Sequence, residues 1–241
     1  MTLGSISSAW PPADIAAWRA AAEAALKGGS IETRLVARSL DGVATPSLAT
    51  RALAADAIAA AGAVGAAPYT RGTTRDPVEG WVIAQKIDMP GVAAANATML
   101  DDLTGGASGL VIDVAAIGAD IPDLPALFDG VHVDLVPITF DTGADRAVAL
   151  ANAFLDHART RRIDADALRF CPGFDPHTAL AGSGRLGHVA AVPAEVVAAT
   201  NALAARGLRG PTLLVDGRPW HEAGATEAVE LGIAIANAVS Y

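Results

Sequence analysis

The chain has 241 residues with a net charge of -9, a pI near 4.9 and 52% hydrophobic residues, enough for one large α/β domain with a sizeable core. Only two lysines, Lys27 and Lys86, and one dense basic cluster, Arg159, Arg161 and Arg162 at a helix end, are present, which argues against a nucleic-acid partner. No long uncharged apolar run predicts a membrane span, the opening MTLGSISSAWPP lacks the layout of a secretory signal, and a single cysteine, Cys171, allows no intrachain disulfide and fits a reducing cytoplasm.

In chain order, the first element is a helix over 14–26. Ile15, Trp18, Ala22, Ala25 and Leu26 recur at helical spacing, Pro11 and Pro12 precede it, and Gly28-Gly29 stop it. An extended piece from Ile31 to Leu40 leads to the turn Asp41-Gly42. Residues 51–66 read as helix or linker and 68–80 as loop. From Trp81 onward strands and helices alternate. Strands are expected at 81–86, 109–114, 131–136, 168–171 and 212–216, and helices at 92–103, 122–128, 145–161, 193–206 and 222–239. Strands apolar on both faces and separated by helices imply a parallel sheet under helices, either doubly wound or a (β/α) barrel. The division expected is an amino-terminal helical and extended arm, 1–67, and a partial barrel of about five βα units, 68–241. A closed barrel needs eight units, so either the natural protein continues or another chain covers the open edge.

The chemical motifs are sparse. Gly182-Ser183-Gly184 follows no apolar strand and is no dinucleotide fingerprint, and His221-Glu222 lacks the second histidine of a zinc protease. Lys86 falls at the carboxyl end of the first barrel strand, where barrel enzymes place their chemistry. A desolvated lysine there could form a Schiff base, though snorkelling or pairing with Asp88 is the simpler reading. Asp113, Asp134 and Asp216 at or near strand ends could suggest a metal or an acid/base pair, against the simpler reading of capping and salt bridging.

Several segments in order resemble the methylmalonyl-CoA mutase family, and in particular its small, non-catalytic subunit. They are Trp18–Gly28 at the opening helix, Ser39-Leu40-Asp41-Gly42-Val43, Pro68-Tyr69-Thr70-Arg71-Gly72, Trp81–Lys86, and Glu222-Ala223-Gly224-Ala225-Thr226 preceded by Gly217. The resemblance implies an incomplete TIM-barrel-like (β/α) fold and membership of an isomerase that uses adenosylcobalamin in its assembled form. It also implies a heterodimer with a catalytic mutase subunit. The departures fall on the catalytic positions. Lys86 stands where the family's tyrosine ends the strand, Pro219 where its histidine precedes Glu-Ala-Gly-Ala-Thr, and Arg218 where the neighbouring tyrosine lies. No counterpart of the family's Ile-Gln-Asn-Asp stretch or carboxylate-binding arginine is found around 168–180, and the loop at 73–79 is two residues shorter. A proline side chain offers neither donor nor acceptor, so the histidine role is lost. Asp175-Pro176-His177 resembles the Asp-x-His of B12-binding domains, but Gly182 follows His177 by five residues rather than three, and Asp175 reads as a helix N-cap.

The expectation is a small-subunit-like partner with no catalytic residues, no metal and no cofactor bound by this chain. Its pocket candidates are Lys86, Arg218 and His221, acyl-CoA is a possible ligand, and nucleic acid and membrane are not expected. The alternatives are a divergent active acyl-CoA mutase in which Lys86, Arg218 and His221 replace the usual groups, and an unrelated barrel enzyme with a Schiff-base Lys86.

Overall fold

A computed structural model describes residues 14–72, 80–142, 144–184 and 191–241. The chain divides into two compact units, Met1–Arg75 and Asp76–Tyr241.

In the first unit α1 spans Ile15–Ala25, opened by the Asp14 carboxylate, which accepts from the Ala16 N–H at 2.9 Å. The extended piece expected over 31–40 begins instead as a single helical turn, α2, Ile31–Arg34. Local bonds favour the turn: Ser30 Oγ donates to Glu32, and Thr33 Oγ1 donates to the Ser30 carbonyl. A two-residue hairpin follows, β1 (Ala37–Arg38) antiparallel to β2 (Ala44–Thr45), across the expected Asp41-Gly42 turn. The last element is α3, Ala55–Ala61. Ile31 is the buried hydrophobic of this unit among the described residues.

The second unit carries the parallel sheet. β3 is Ala84–Ile87, β4 Gly109–Asp113, β5 Ile138–Asp141 and β6 Phe170–Cys171. All pair in parallel in the order β3-β4-β5-β6, with no reversal of direction through the sheet. A doubly wound sheet reverses its order at a switch point, whereas a barrel adds each strand beside the last. The fold is therefore α/β, an incomplete TIM-barrel-like arrangement with no closed barrel among the described residues. The connecting helices are α4 (Val92–Gly105), α5 (Val114–Ile117), α6 (Leu124–Leu127), α7 (Ala144–Thr160), α8 (Pro176–Ser183), α9 (Val192–Ala205), α10 (Arg218–Glu222) and α11 (Glu227–Ser240). None of the described helices is long and apolar enough to cross a membrane.

Three expected elements are corrected. The strand placed at 131–136 is a loop, and the strand proper is β5, 138–141. Val131 and Val133 are both 1% exposed, so they show the period-2 burial of a strand while lining the floor of the core from a turn. The strand expected at 212–216 shrinks to one parallel bridge, Leu213 with Phe174. β6 ends after two residues because Pro172-Gly173 redirects the chain. Gly173 sits at φ +71, and a Cβ there would lie 1.8 Å from the Phe140 carbonyl oxygen. The helix expected over 222–239 starts only at Glu227 as α11, because the short α10 ends at Glu222 and the chain turns at Gly224, φ +92; Thr226 caps α11 by accepting from the Val229 N–H.

Alternation decides what each strand offers. Ile87, Leu110, Ile112, Ile138, Phe140 and Phe170 point to the helices and are buried. They pack with Met99 of α4, Leu124 and Leu127 of α6, and Leu150 and Phe154 of α7. Phe140, Phe154 and Phe170 meet with ring centroids 4.6–5.4 Å apart, the spacing of favourable aromatic pairs. Lys86, Val111, Asp113, Thr139 and Asp141 point to the opposite face, the inner side in a barrel, and stay partly exposed.

Candidate functional site

The carboxyl ends of the strands bring one charged cluster together. In-register pairing sets Asp113, the last residue of β4, beside Asp141, the last residue of β5. Lys86 of β3 reaches Asp113 at 2.9 Å and Asp141 at 4.0 Å. From the first turn of α10, Arg218 Nη2 donates to Asp141 at 2.8 Å and to Asp216 at 2.7 Å, and its Nε donates to Asp216 at 2.8 Å. Arg218 thus holds the Asp216 carboxylate in a fork and shares Asp141 with Lys86, so two cations are threaded through three carboxylates.

The electrostatics follow from these contacts. The hydrogen bond to Asp113 and the nearby carboxylates raise the Lys86 ammonium above its ordinary value despite some desolvation. Burial pushes the Asp113 carboxyl up, but the Ala116 N–H and the Lys86 ammonium outweigh it and hold it below the usual range. Burial likewise opposes ionisation of Asp216, and the Arg218 contacts overcome it. A Schiff-base lysine needs its lone pair free, and Lys86 is driven the other way.

Behind the cluster lies a second polar knot. Asp175 is 5% exposed. Its Oδ1 caps α8 by accepting from the Thr178 N–H at 3.1 Å and also accepts from the Tyr241 hydroxyl, while its Oδ2 accepts from the Asp216 N–H at 2.7 Å. Asp175 therefore fixes the turn that carries Asp216 and Arg218, a role beyond the N-cap legible in the sequence.

Of the pocket candidates, Lys86 and Arg218 meet on Asp141. His221 does not join them: its Nδ1 lies 3.1 Å from Glu230 Oε2 on α11. Lys86 pairs with Asp113 rather than Asp88, and Asp134 sits exposed in the loop before β5, away from any strand end. The residue missed was Asp141, whose signal was the alternation Ile138-Thr139-Phe140-Asp141 directly after Pro137. Among the described residues no group of three or more histidine, cysteine or carboxylate side chains is placed to hold a metal ion. The loop at 73–79, expected to be shortened, lies outside the described residues.

The family profile described as methylmalonyl-CoA mutase matches residues 113–241, more than half of the chain. The chain belongs to the methylmalonyl-CoA mutase family. It is similar to the methylmalonyl-CoA mutase small subunit of Streptomyces virginiae, 32% identical over 248 residues, which cover 98% of this chain and 39% of that protein. It is also similar to the probable methylmalonyl-CoA mutase small subunits of Mycobacterium bovis and Mycobacterium tuberculosis, each 37% identical over 179 residues, covering 72% of this chain and 28% of theirs. The chain thus spans about two fifths or less of the length of these relatives. In this mutase-family chain Pro219 lies in the first turn of α10, and its ring carries no polar atom toward the strand ends. The neighbouring Arg218 puts a guanidinium among the strand-end carboxylates instead.

Proposed function

We propose that this chain is a non-catalytic, small-subunit-like component of a cobalamin-dependent methylmalonyl-CoA mutase, stabilising and assembling with a catalytic chain in the cytoplasm. The observation that carries the reading is the closed ion-pair cluster at the strand ends. The site where a barrel enzyme would present reactive groups holds Lys86, Asp113, Asp141, Asp216 and Arg218 engaged with one another. General acid/base work needs a group whose protonation state can change near neutrality, and the shifts here drive Lys86, Asp113 and Asp216 further from it.

We further propose, as the family resemblance implies, that adenosylcobalamin belongs to the assembled enzyme and is not bound by this chain.

The test is co-expression with the catalytic subunit of a methylmalonyl-CoA mutase, followed by turnover with adenosylcobalamin and methylmalonyl-CoA. The expected result is co-purification, no turnover by this chain alone, and unchanged activity of the complex when it carries Lys86→Ala. Turnover by the isolated chain that disappears in Lys86→Ala would establish the divergent-mutase reading instead, and failure to associate would remove the assembly role.

A further inference from the structure

We infer that His157 is an acid-sensitive wedge between α7 and the connection from α6 to β5, and that protonation of its ring releases that connection. The wedge lies where the chain enters β5, at the other end of that strand from Asp141 and the charged cluster, and it is independent of the proposed function.

The connection is pinned to α7 around Phe128. The Phe128 ring is fully buried, with its centroid 5.1 Å from Phe154 of α7, 6.2 Å from Phe140 of β5 and 6.3 Å from the His157 ring. The Phe128 carbonyl accepts from Arg161 Nη1 at 3.3 Å, and the same nitrogen donates to the Val131 carbonyl at 2.8 Å. Arg161 follows His157 by one helical turn, and its N–H reaches the His157 carbonyl at 3.3 Å. The end of α7 thus holds the connection through one side chain that is always a cation and one that becomes a cation only on protonation.

The seat of the ring favours the neutral form. His157 Nε2 is buried without a hydrogen-bond partner among the described residues. A neutral imidazole can turn its lone pair to that position and keep its N–H on Nδ1. The imidazolium carries an N–H on both nitrogens, so a buried donor would face no acceptor. The surrounding charges do not compensate. On α7 and its end, Asp156 is engaged by Arg206 of α9 and by Arg159, and Arg162 is exposed. On the connection, Asp129, His132 and Asp134 are exposed, and α6 itself carries no charged residue. The charge that acts on the ring is the Arg161 guanidinium, itself a cation. Burial first, and then that cation, hold the imidazole below its ordinary value.

On acidification the unfolded ring therefore takes its proton before the folded one. The contribution of His157 is full above about pH 6.5 and falls as pH drops from there toward the folded value. Release of the connection uncovers Phe128, Val131 and Val133, which are at most 1% exposed in the fold.

The test is the pH dependence of the full chain. An unfolded histidine titrating at about 6.5 can lower the folding equilibrium constant by at most about ten-fold between pH 7.5 and 5.5. In urea unfolding the wild-type fall should exceed that of His157→Gln and of His157→Phe by about three- to ten-fold, each protein being read against its own value at pH 7.5. Hydrogen exchange, corrected for the intrinsic effect of pH, should speed at pH 5.5 for amides 128–133 of the wild type and less for β4. An NMR titration of the wild-type ring, assigned through its own backbone, should give a midpoint below 6.5. That titration needs no variant, so it decides even where a substitution prevents folding. A midpoint at or above 6.5, the same acid loss in wild type and both variants, or exchange that speeds in β4 as much as in 128–133 would overturn the inference.

Discussion

The strand-end cluster makes a quantitative prediction about Asp141, which faces Arg218 at 2.8 Å and Lys86 at 4.0 Å. Coulomb energy falls inversely with separation, so in a water-like medium the two attractions are about 1.5 and about 1 kcal/mol. The cations are half exposed, Arg218 at 52% and Lys86 at 42%, so solvent and side-chain entropy reduce both. Only Arg218 keeps hydrogen-bond geometry to Asp141. Double-mutant cycles built from Asp141→Asn with Arg218→Gln, and from Asp141→Asn with Lys86→Gln, should therefore give coupling of about 0.5–1 kcal/mol for the first and under about 0.5 kcal/mol for the second. The assay is urea unfolding followed by circular dichroism, in low salt and again in 1 M sodium chloride, where a Debye length of about 3 Å should remove most of both. A Lys86 coupling equal to or larger than the Arg218 coupling would refute the reasoning, because distance and geometry would then not rank the pairs. Coupling that survives high salt would do the same by placing the cluster in a drier environment than its exposure implies.

Three further outcomes are expected. Phe154→Ala removes a fully buried ring from the aromatic cluster and should cost about 3–5 kcal/mol in urea unfolding, whereas a loss under about 1 kcal/mol would mean that the core is not packed as described. Gly173→Ala should destabilise the chain strongly or prevent folding, since its Cβ would meet the Phe140 carbonyl at a positive φ; a normal melting curve would show that the backbone does not make this approach. Stability should also depend on pH in a set direction. Asp113 and Asp216 are depressed in the fold, so their contribution is present above about pH 4 and lost as pH falls through their folded values. Lys86 is raised, so its contribution is complete below about pH 10 and lost as pH rises beyond that. Thermal melts from pH 2 to 11 read both limbs, and acid stabilisation below pH 4 would contradict the contacts.

The chemistry of the strand ends was only half legible in the residues. Lys86 and Asp113 belong to strands whose apolar runs are long and bounded by turn residues, so their positions followed from pattern alone. Asp141 was hidden because Val131 and Val133 imitate a strand while lining a loop, which moved the expected strand upstream and put Asp134 in the place of Asp141. Arg218 and His221 stand three residues apart near the Glu-Ala-Gly-Ala-Thr segment, and nothing in their spacing tells that one joins the sheet's edge and the other turns to Glu230.

By itself the sequence determined the α/β class, the long helices, the cap at Asp175 and the family resemblance. The first three follow from periodicity and residue chemistry, which act locally, and the last from the order of the matching segments. The tertiary structure decided the strand order, the shrinking of 212–216 to a bridge, the sharing of Asp141 between Lys86 and Arg218, and the seat of Tyr241 on Asp175. Each of these joins residues from 39 to 77 positions apart or ranks strands within the sheet. Such contacts are fixed by which faces must be buried together, and no local pattern carries that information.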